Sequence, residues 1–429
     1  MHWQILIGMA AGVIFALILS NFSWGAGFIG DWIKPFGNIF INALKLIAVP
    51  LILVSLIKGV SDLKDISQLS KMGTRTILTY IGTTIIAVSI GLILVNIIKP
   101  GSAFSEETRN SLLANYEGDA SVRIAEAERQ REAGPLQPLE DLVPENIFAA
   151  ASDNVNMLQV IFFAILFGVA MIMIPPQTAK PVKEFFDGFN EVILKIIDFI
   201  MMAAPYGVFA LLAALVVEAP STDLFAALAM YAVTVLLGLG LMIGVYMLLV
   251  WITTGRPPAF FERGIAPAQL LGFSTSSSAA TLPVTMERTE NYLGVDEEVT
   301  SFVLPIGATI NMDGTSLYQA VAAVFIAQAF GMDLSLATQL GIIATATLAS
   351  IGSAAVPGAG MVMLVIVLAQ AGIPEAGLAL IFAVDRPLDM CRTTVNISGD
   401  AAVSMMVAKS VGKLRDMEEV EKTIEDLES

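Results

Sequence analysis

The chain has 429 residues, of which 56% are apolar and only 14% charged, against roughly 45–50% and about 25% in an ordinary soluble domain. With a mean hydropathy of +0.76 it reads as a polytopic α-helical membrane protein, which excludes most soluble enzymes. One cysteine and one histidine exclude a disulfide framework, a Cys/His zinc centre and a buried histidine catalyst, and the net charge of −16 sits in acidic extramembrane segments, against the clustered Lys/Arg a nucleic-acid partner would need.

Apolar runs near 4–20, 36–57, 77–98, 156–175, 190–217 and 224–252 are each long enough to cross roughly 30 Å of hydrocarbon at about 1.5 Å per residue. The first lacks a basic n-region and a small-residue cleavage site, so it is read as a retained span. Lys58, Lys64, Lys71 and Arg75 follow the second run, Lys180 and Lys183 the fourth, and Lys409, Lys413 and Arg415 the last apolar segment. The positive-inside rule then puts both termini in the cytoplasm. The acidity is local: residues 101–145 hold ten acids against four arginines, and residues 416–428 add seven acids. The first of these segments reads as a solvated extracellular loop.

Beyond residue 255 the apolar segments are interrupted by STSSSAATLP at 274–283, INMDGTS at 310–316, ASIGSAAVPGAG at 349–360 and DRPLDMCRTTVNISGD at 385–400. Irregular backbone at membrane depth is tolerated only where it is buried in protein or lines a cavity. The breaks repeat: SSSAATLP precedes TINMDG, and GSAAVP precedes TVNISGD. Paired interruptions in two halves point to a secondary transporter built from inverted repeats. Each Ser/Ala/Pro cluster is then the tip of a re-entrant hairpin whose free N–H groups and hydroxyls hold an anion. The alternative is close helix packing through small residues.

Asp313, Asp385, Arg386, Asp389, Arg392 and Asp400 lie in or beside these apolar helices. Each central charge costs roughly 2.5–3.5 kcal/mol, so four or five total about 10–15 kcal/mol unless paired. Asp389, Arg392, Thr393, Asn396 and Asp400 fall on one helical face, spread over roughly 16 Å. Asp389 and Arg392 can simply neutralise each other, which leaves Asp313 and Asp400 without a cation. Beside Asn311 and Asn396, those two carboxylates look like hard-oxygen sites for Na+. Asp389 suits an ammonium and Arg392 a carboxylate, while the serines at 276–278 and the N–H groups at 356–360 suit a second carboxylate. Together they describe a small acidic amino acid.

The motifs SSSAATLPVTM, NMDGT, ASIGSAAVPGAG and DMCRTTVNISGD, with YGVFALLA at 206–213, closely resemble the dicarboxylate/amino acid:cation (Na+ or H+) symporter family, the prokaryotic relatives of the excitatory amino acid (glutamate/aspartate) transporters. The resemblance implies eight transmembrane helices plus two re-entrant helical hairpins in an all-α, elevator-type homotrimer of the prokaryotic inner membrane. It divides the chain into scaffold helices 1 and 2 (1–75), a third helix belonging to a transport domain (76–100), the acidic extracellular loop (101–145) and scaffold helices 4 and 5 (146–222). The rest of the transport domain (223–415) and an acidic cytoplasmic tail (416–429) follow.

By matching motifs, the implied substrate contacts are Ser277, Ser278, Thr315, the backbone at Val356 and Gly360, Asp389, Arg392, Thr393 and Asn396. One implied Na+ site uses Gly307 and Asn311 carbonyls with Asn396 and Asp400, and a second uses backbone at Thr309, Ser350, Ile351 and Ser353. A third joins Asn311 and Asp313 to Tyr80, Thr83 and Thr84. No cofactor other than the coupling ion is implied.

Three departures from the family pattern matter. Ser276 and Met390 stand where other branches carry an arginine, and the additional cation here is Arg386, expected to balance Asp385 or Asp389. Gln319 replaces a glutamate associated with proton and potassium coupling, so Na+ symport without K+ exchange is expected. Asp389 and Arg392 favour L-aspartate or L-glutamate; an H+-coupled or C4-dicarboxylate carrier on the same fold is the alternative. An intramembrane protease is excluded, because the only histidine is His2 and no GxGD motif is present.

Overall fold

The computed structural model describes residues 2–61, 70–104, 143–152, 157–218, 222–351 and 358–428. Apart from one antiparallel bridge between Val295 and Leu414, the regular structure of these residues is helical. The principal helices are α1 (His2–Leu19), α2 (Lys34–Ser61), α3 (Ser70–Ile98), α4 (Met157–Met173), α5 (Pro176–Met202), α6 (Ala204–Glu218) and α7 (Thr222–Thr254). They continue with α8 (Pro258–Thr275), α9 (Ser278–Glu287), α10 (Glu297–Ile310), α11 (Asp313–Ala329), α12 (Leu336–Ile351), α13 (Ala359–Gln370), α14 (Leu378–Val411) and α15 (Met417–Glu428). Most of the loop assigned to 101–145 lies outside the described residues.

The apolar run at 190–217 is not one span. The chain turns at Ala203, ahead of Pro205, so the run divides between the end of α5 and the whole of α6. Hydropathy alone missed the break because both sides of it are apolar. The third helix also starts earlier than residue 76, at Ser70. Among the described residues α3 and α7 are apolar enough along their length to cross a membrane by themselves, and the remaining apolar helices are shorter. Large apolar side chains such as Ile14, Leu46, Ile97, Phe199, Leu241, Trp251 and Leu270 point outward, which suits hydrocarbon as the solvent.

Packing follows two centres. Helices α4, α5 and α6 pack on α2, and α1 packs along α6. Around α11 and α14 are gathered α3, α7, α8, α10, α12 and α13. Helix α11 is buried from Asp313 to Ala327 on every side, as expected of a helix that is the middle of a bundle and has no polar face.

The acidic tail is more than a solvated run. Val420 of α15 is fully buried and seats on Gly294, where a Cβ would come within 2.5 Å of its side chain. The chain leading to α15 is tied down along its length. Lys413 pairs with Glu298, Arg415 donates to the Glu290 carbonyl, Arg256 donates to the Arg415 carbonyl and Arg75 to that of Ser410. Burial lowers the pKa of Arg256, and Asp416 and Glu421 partly offset this.

Two glycines set the approach of α1 to α6. A Cβ at Gly8 would lie 2.4 Å from the Pro205 carbonyl oxygen, and one at Gly12 2.5 Å from that of Phe209, the small-xxx-small spacing that lets helix backbones meet. Gly12→Ala should therefore cost about 1–3 kcal/mol of stability, seen as a lowered unfolding midpoint in detergent. Gly27→Ala, where a Cβ meets nothing within 4 Å, should not, and an equal drop in both would contradict this packing.

Candidate substrate and ion site

Four helix interruptions bring the polar residues together. Helix α8 ends with Ser276 in the left-handed region at φ 52°, which reverses the chain into α9. Ser277 caps α9, its Oγ accepting from the Ala280 amide at 3.2 Å. Asn311 and Met312 leave helical geometry between α10 and α11, placing Asp313 in the first turn of α11. Gly358, at φ 82°, opens α13. Helix α14 runs unbroken through Pro387 from Leu378 to Val411 and supplies the face that all of these meet.

At one end of that face, Arg392 is 0% exposed. Its Nη2 donates to Asp389 Oδ1 at 2.7 Å, its Nη1 lies 3.1 Å from Asp385 Oδ1, and its guanidinium stacks 3.8 Å above the Tyr318 ring. The contact with Asp385 is an ion pair without hydrogen-bond alignment, for Arg392 Nε and Nη1 and Asp385 Oδ1 are all buried without a hydrogen-bond partner. Asp389 Oδ2 accepts from Arg386 Nη1 at 2.8 Å and from the Gly358 amide at 3.3 Å. Two carboxylates and two guanidiniums thus form one buried, locally neutral cluster.

Around it lie most of the predicted substrate contacts. A Cβ on Gly360 would come 3.1 Å from the Thr315 methyl and 3.4 Å from Arg392 Nη1, so the absence of a side chain there lets the start of α13 close over the guanidinium. Thr315 Oγ1 accepts from Asn396 Nδ2 at 3.3 Å, while Asn396 Oδ1 accepts from the Gly314 amide at 2.8 Å. Thr393 donates to the Asp389 carbonyl at 3.0 Å, and Ser278 is buried at the start of α9. Gln319 donates to the Gly360 carbonyl at 3.3 Å. Val356 and Ser353 lie outside the described residues; Ser350 and Ile351 end α12.

One to three turns along α14 is a second, carboxylate-rich cluster. Asp313 Oδ1 is 2.6 Å from Thr84 Oγ1, which also lies 2.8 Å from the Tyr80 carbonyl, so its single proton serves one of the two. Asp313 Oδ2 accepts from Tyr246 at 2.5 Å. Thr83 donates to the Tyr80 carbonyl at 3.0 Å, and Tyr80 donates to that of Val303 at 3.1 Å. Asn311 Nδ2 donates to Asp400 Oδ1 at 2.9 Å, whereas Asn311 Oδ1 is buried without a partner.

Gly307 lets this cluster close: its Cβ would meet Tyr80 Oη at 2.3 Å and Asp400 Oδ1 at 2.5 Å. Among the described residues no Lys or Arg pairs with Asp313 or Asp400. Two buried carboxylates and an orphaned amide oxygen fit a small, hard cation. Thr309 is exposed, with its hydroxyl on the Ile306 carbonyl at 3.0 Å, apart from these side chains.

Sequence reasoning missed Tyr246 and Gly399. A Cβ at Gly399 would sit 2.5 Å from Tyr246 Oη and 2.7 Å from Asn311 Nδ2. The only signals were one of two tyrosines in the largely apolar α7 and a glycine directly before Asp400.

Polar breaks in apolar helices, meeting around buried charges, are the mark of a secondary transporter. Residues 1–410 match the profile of the Sodium:dicarboxylate symporter family, and the chain belongs to that family. It is 32% identical to the proton/sodium-glutamate symport protein of Geobacillus stearothermophilus, over 96% of this chain and 95% of that one. It is 36% identical to excitatory amino acid transporter 3 of Mus musculus, over 95% and 85%. With the proton/glutamate-aspartate symporter of Escherichia coli (strain K12), identity is 34% over 95% and 92%. The protein is accordingly a multi-pass membrane transporter.

Tyr246→Phe leaves one Asp313 oxygen without its donor, a loss of about 1–3 kcal/mol for a buried group. The variant should unfold at lower temperature in Na+-free buffer, with much of the deficit recovered by Na+. A deficit that Na+ leaves untouched would show that Asp313 does not face the ion.

Proposed function

We propose that this protein carries an acidic amino acid, L-aspartate or L-glutamate, into the cell by symport with Na+. The observation that carries this reading is Arg392: fully buried, held by two aspartates, and with Nε and Nη1 lacking hydrogen-bond partners. Leaving buried guanidinium donors unpaired is costly, and a substrate carboxylate supplies the two acceptors in one plane. Asp389 takes the ammonium. Ser277, Ser278 and the backbone from Val356 to Gly360 take the second carboxylate, with Thr315, Thr393 and Asn396 completing the wall. The relatives named above as symporters of glutamate or of glutamate and aspartate, with sodium or protons, agree with this.

Na+ is the co-transported substrate. It is held at Asp313 with Tyr80, Thr83, Thr84 and Asn311, at Asp400 with Gly307, Asn311 and Asn396, and at the backbone of Thr309, Ser350, Ile351 and Ser353. Moving an anionic amino acid into a negative interior costs about 2.3 kcal/mol per 100 mV, and each Na+ moving with it returns the same amount. More than one ion per substrate is therefore needed before the membrane potential drives uptake, which gives several ion sites a purpose.

In this reading α8–α9 and α12–α13 are re-entrant hairpins that line the site from opposite sides of the membrane. Helices α3 and α7–α14 form a transport domain that moves as an elevator against a scaffold of α1, α2 and α4–α6. That scaffold is the trimer interface of an inner-membrane protein with both termini cytoplasmic. The two packing centres, on α2 and on α11 with α14, support such a division.

In proteoliposomes, labelled aspartate uptake should follow an imposed inward Na+ gradient and not a proton gradient. Arg392→Ala should reduce it at least a hundredfold, the scale of about 3–5 kcal/mol for a broken buried pair; retained aspartate affinity would contradict the assignment. Because Gln319 cannot titrate, uptake should proceed equally with and without internal K+, and a requirement for K+ would contradict the role given to that position.

A further inference from the structure

The pairing of Arg386 has a consequence for substrate choice. Asp389 has two carboxylate oxygens, and both are engaged: Oδ1 by Arg392 Nη2 at 2.7 Å, Oδ2 by Arg386 Nη1 at 2.8 Å and the Gly358 amide at 3.3 Å. An ammonium that binds Asp389 must therefore displace or share with a guanidinium that already satisfies it. We infer that Arg386 is a built-in stand-in for the substrate ammonium, competing with it for Asp389 and so setting how strongly the site distinguishes ligands that carry an ammonium from those that do not. This rests on the acidic amino acid reading above.

Three features make the exchange feasible. Arg386 and Asp389 are buried on the same face of α14, at i and i+3, so the pair forms without any long-range constraint. Asp385 Oδ1 lies 3.1 Å from Arg392 Nη1, so Arg392 stays shared between the two carboxylates when Arg386 leaves Asp389. Pro387 has no N–H, so the carbonyl one turn earlier in α14 lacks its usual donor and the turn bearing Asp385 and Arg386 is less tightly held.

The charge count gives the direction. With Arg386 on Asp389 the four-residue cluster is neutral, and a dicarboxylate without an ammonium meets no uncompensated anion. With Arg386 neutralised, Asp389 and Asp385 share one cation, the cluster carries a net negative charge, and an ammonium is drawn in while a dicarboxylate is repelled.

The test uses full-length wild-type, Arg386→Gln and Arg386→Lys proteins in proteoliposomes under an inward Na+ gradient. Labelled L-aspartate uptake is measured with unlabelled succinate as competitor. If Arg386 holds Asp389 in about nine-tenths of molecules, its removal tightens the apparent affinity about tenfold. Arg386→Gln should therefore lower the aspartate KM about five- to tenfold and raise the succinate inhibition constant, while Arg386→Lys stays near wild type. Arg386→Met, neutral and of similar reach, is measured alongside so that misfolding of one variant does not remove the comparison. Opposite shifts for the two ligands support the inference. Unchanged constants, or shifts of both in the same direction, overturn it and leave the functional reading standing; a wild type without Na+-dependent aspartate uptake overturns both.

Discussion

A charge buried in a bilayer-embedded protein must be paired, and this constraint organises the molecule. Helix α14 meets it in two ways along one face. Towards Leu378 the face carries Asp385, Arg386, Asp389 and Arg392, which neutralise one another at contact distances of 2.7–3.1 Å. Further along it carries Asp400, which with Asp313 from α11 has hydrogen bonds from Asn311, Thr84 and Tyr246 but no cationic partner among the described residues. Neutral donors orient a carboxylate without cancelling its charge. Such a pair of carboxylates fits a small cation from outside the chain, on the same helix that carries the Arg392 cluster.

The backbone is shaped to permit this. Asn311 and Met312 interrupt what would otherwise be one long helix, which turns the first-turn amides of α11 towards α14. Gly314 is pressed against the Arg392 carbonyl, where a Cβ would stand 2.6 Å away, and its amide holds Asn396 Oδ1 at 2.8 Å. Gly307 and Gly399 perform the same service for Asp400 and Tyr246. These glycines are required by close approach, so a methyl group at any of them would separate the helices that hold the carboxylates. Gly360 likewise brings the start of α13 close to the Arg392 guanidinium.

Much of the site was legible in the sequence because an apolar background leaves few explanations for a charge. The i, i+3, i+4, i+7, i+11 spacing from Asp389 to Asp400 survives a helix of constant pitch, so the common face could be drawn before any coordinates. The sequence left Arg386 with either Asp385 or Asp389 as partner. Neighbours in a helix point away from each other whereas i and i+3 share a face, and the observed contact is with Asp389. Other features carried no such mark. Tyr246 looks like any interfacial or packing tyrosine in an apolar helix, the turn at Ala203 is hidden inside continuous apolarity, and the docking of α15 shows in the sequence only as a valine in an acidic stretch.

The central claim is that Na+ supplies the charge missing at Asp313 and Asp400 and that the substrate site feels its arrival. By linkage, whatever Na+ does to aspartate affinity, aspartate does to Na+ affinity. The direct measurement is a series of aspartate titrations of the purified protein across Na+ concentrations, with choline keeping ionic strength constant. The account predicts a dissociation constant that falls with Na+ along a double-logarithmic slope steeper than one, and no measurable binding in choline. An aspartate affinity indifferent to Na+ would contradict it.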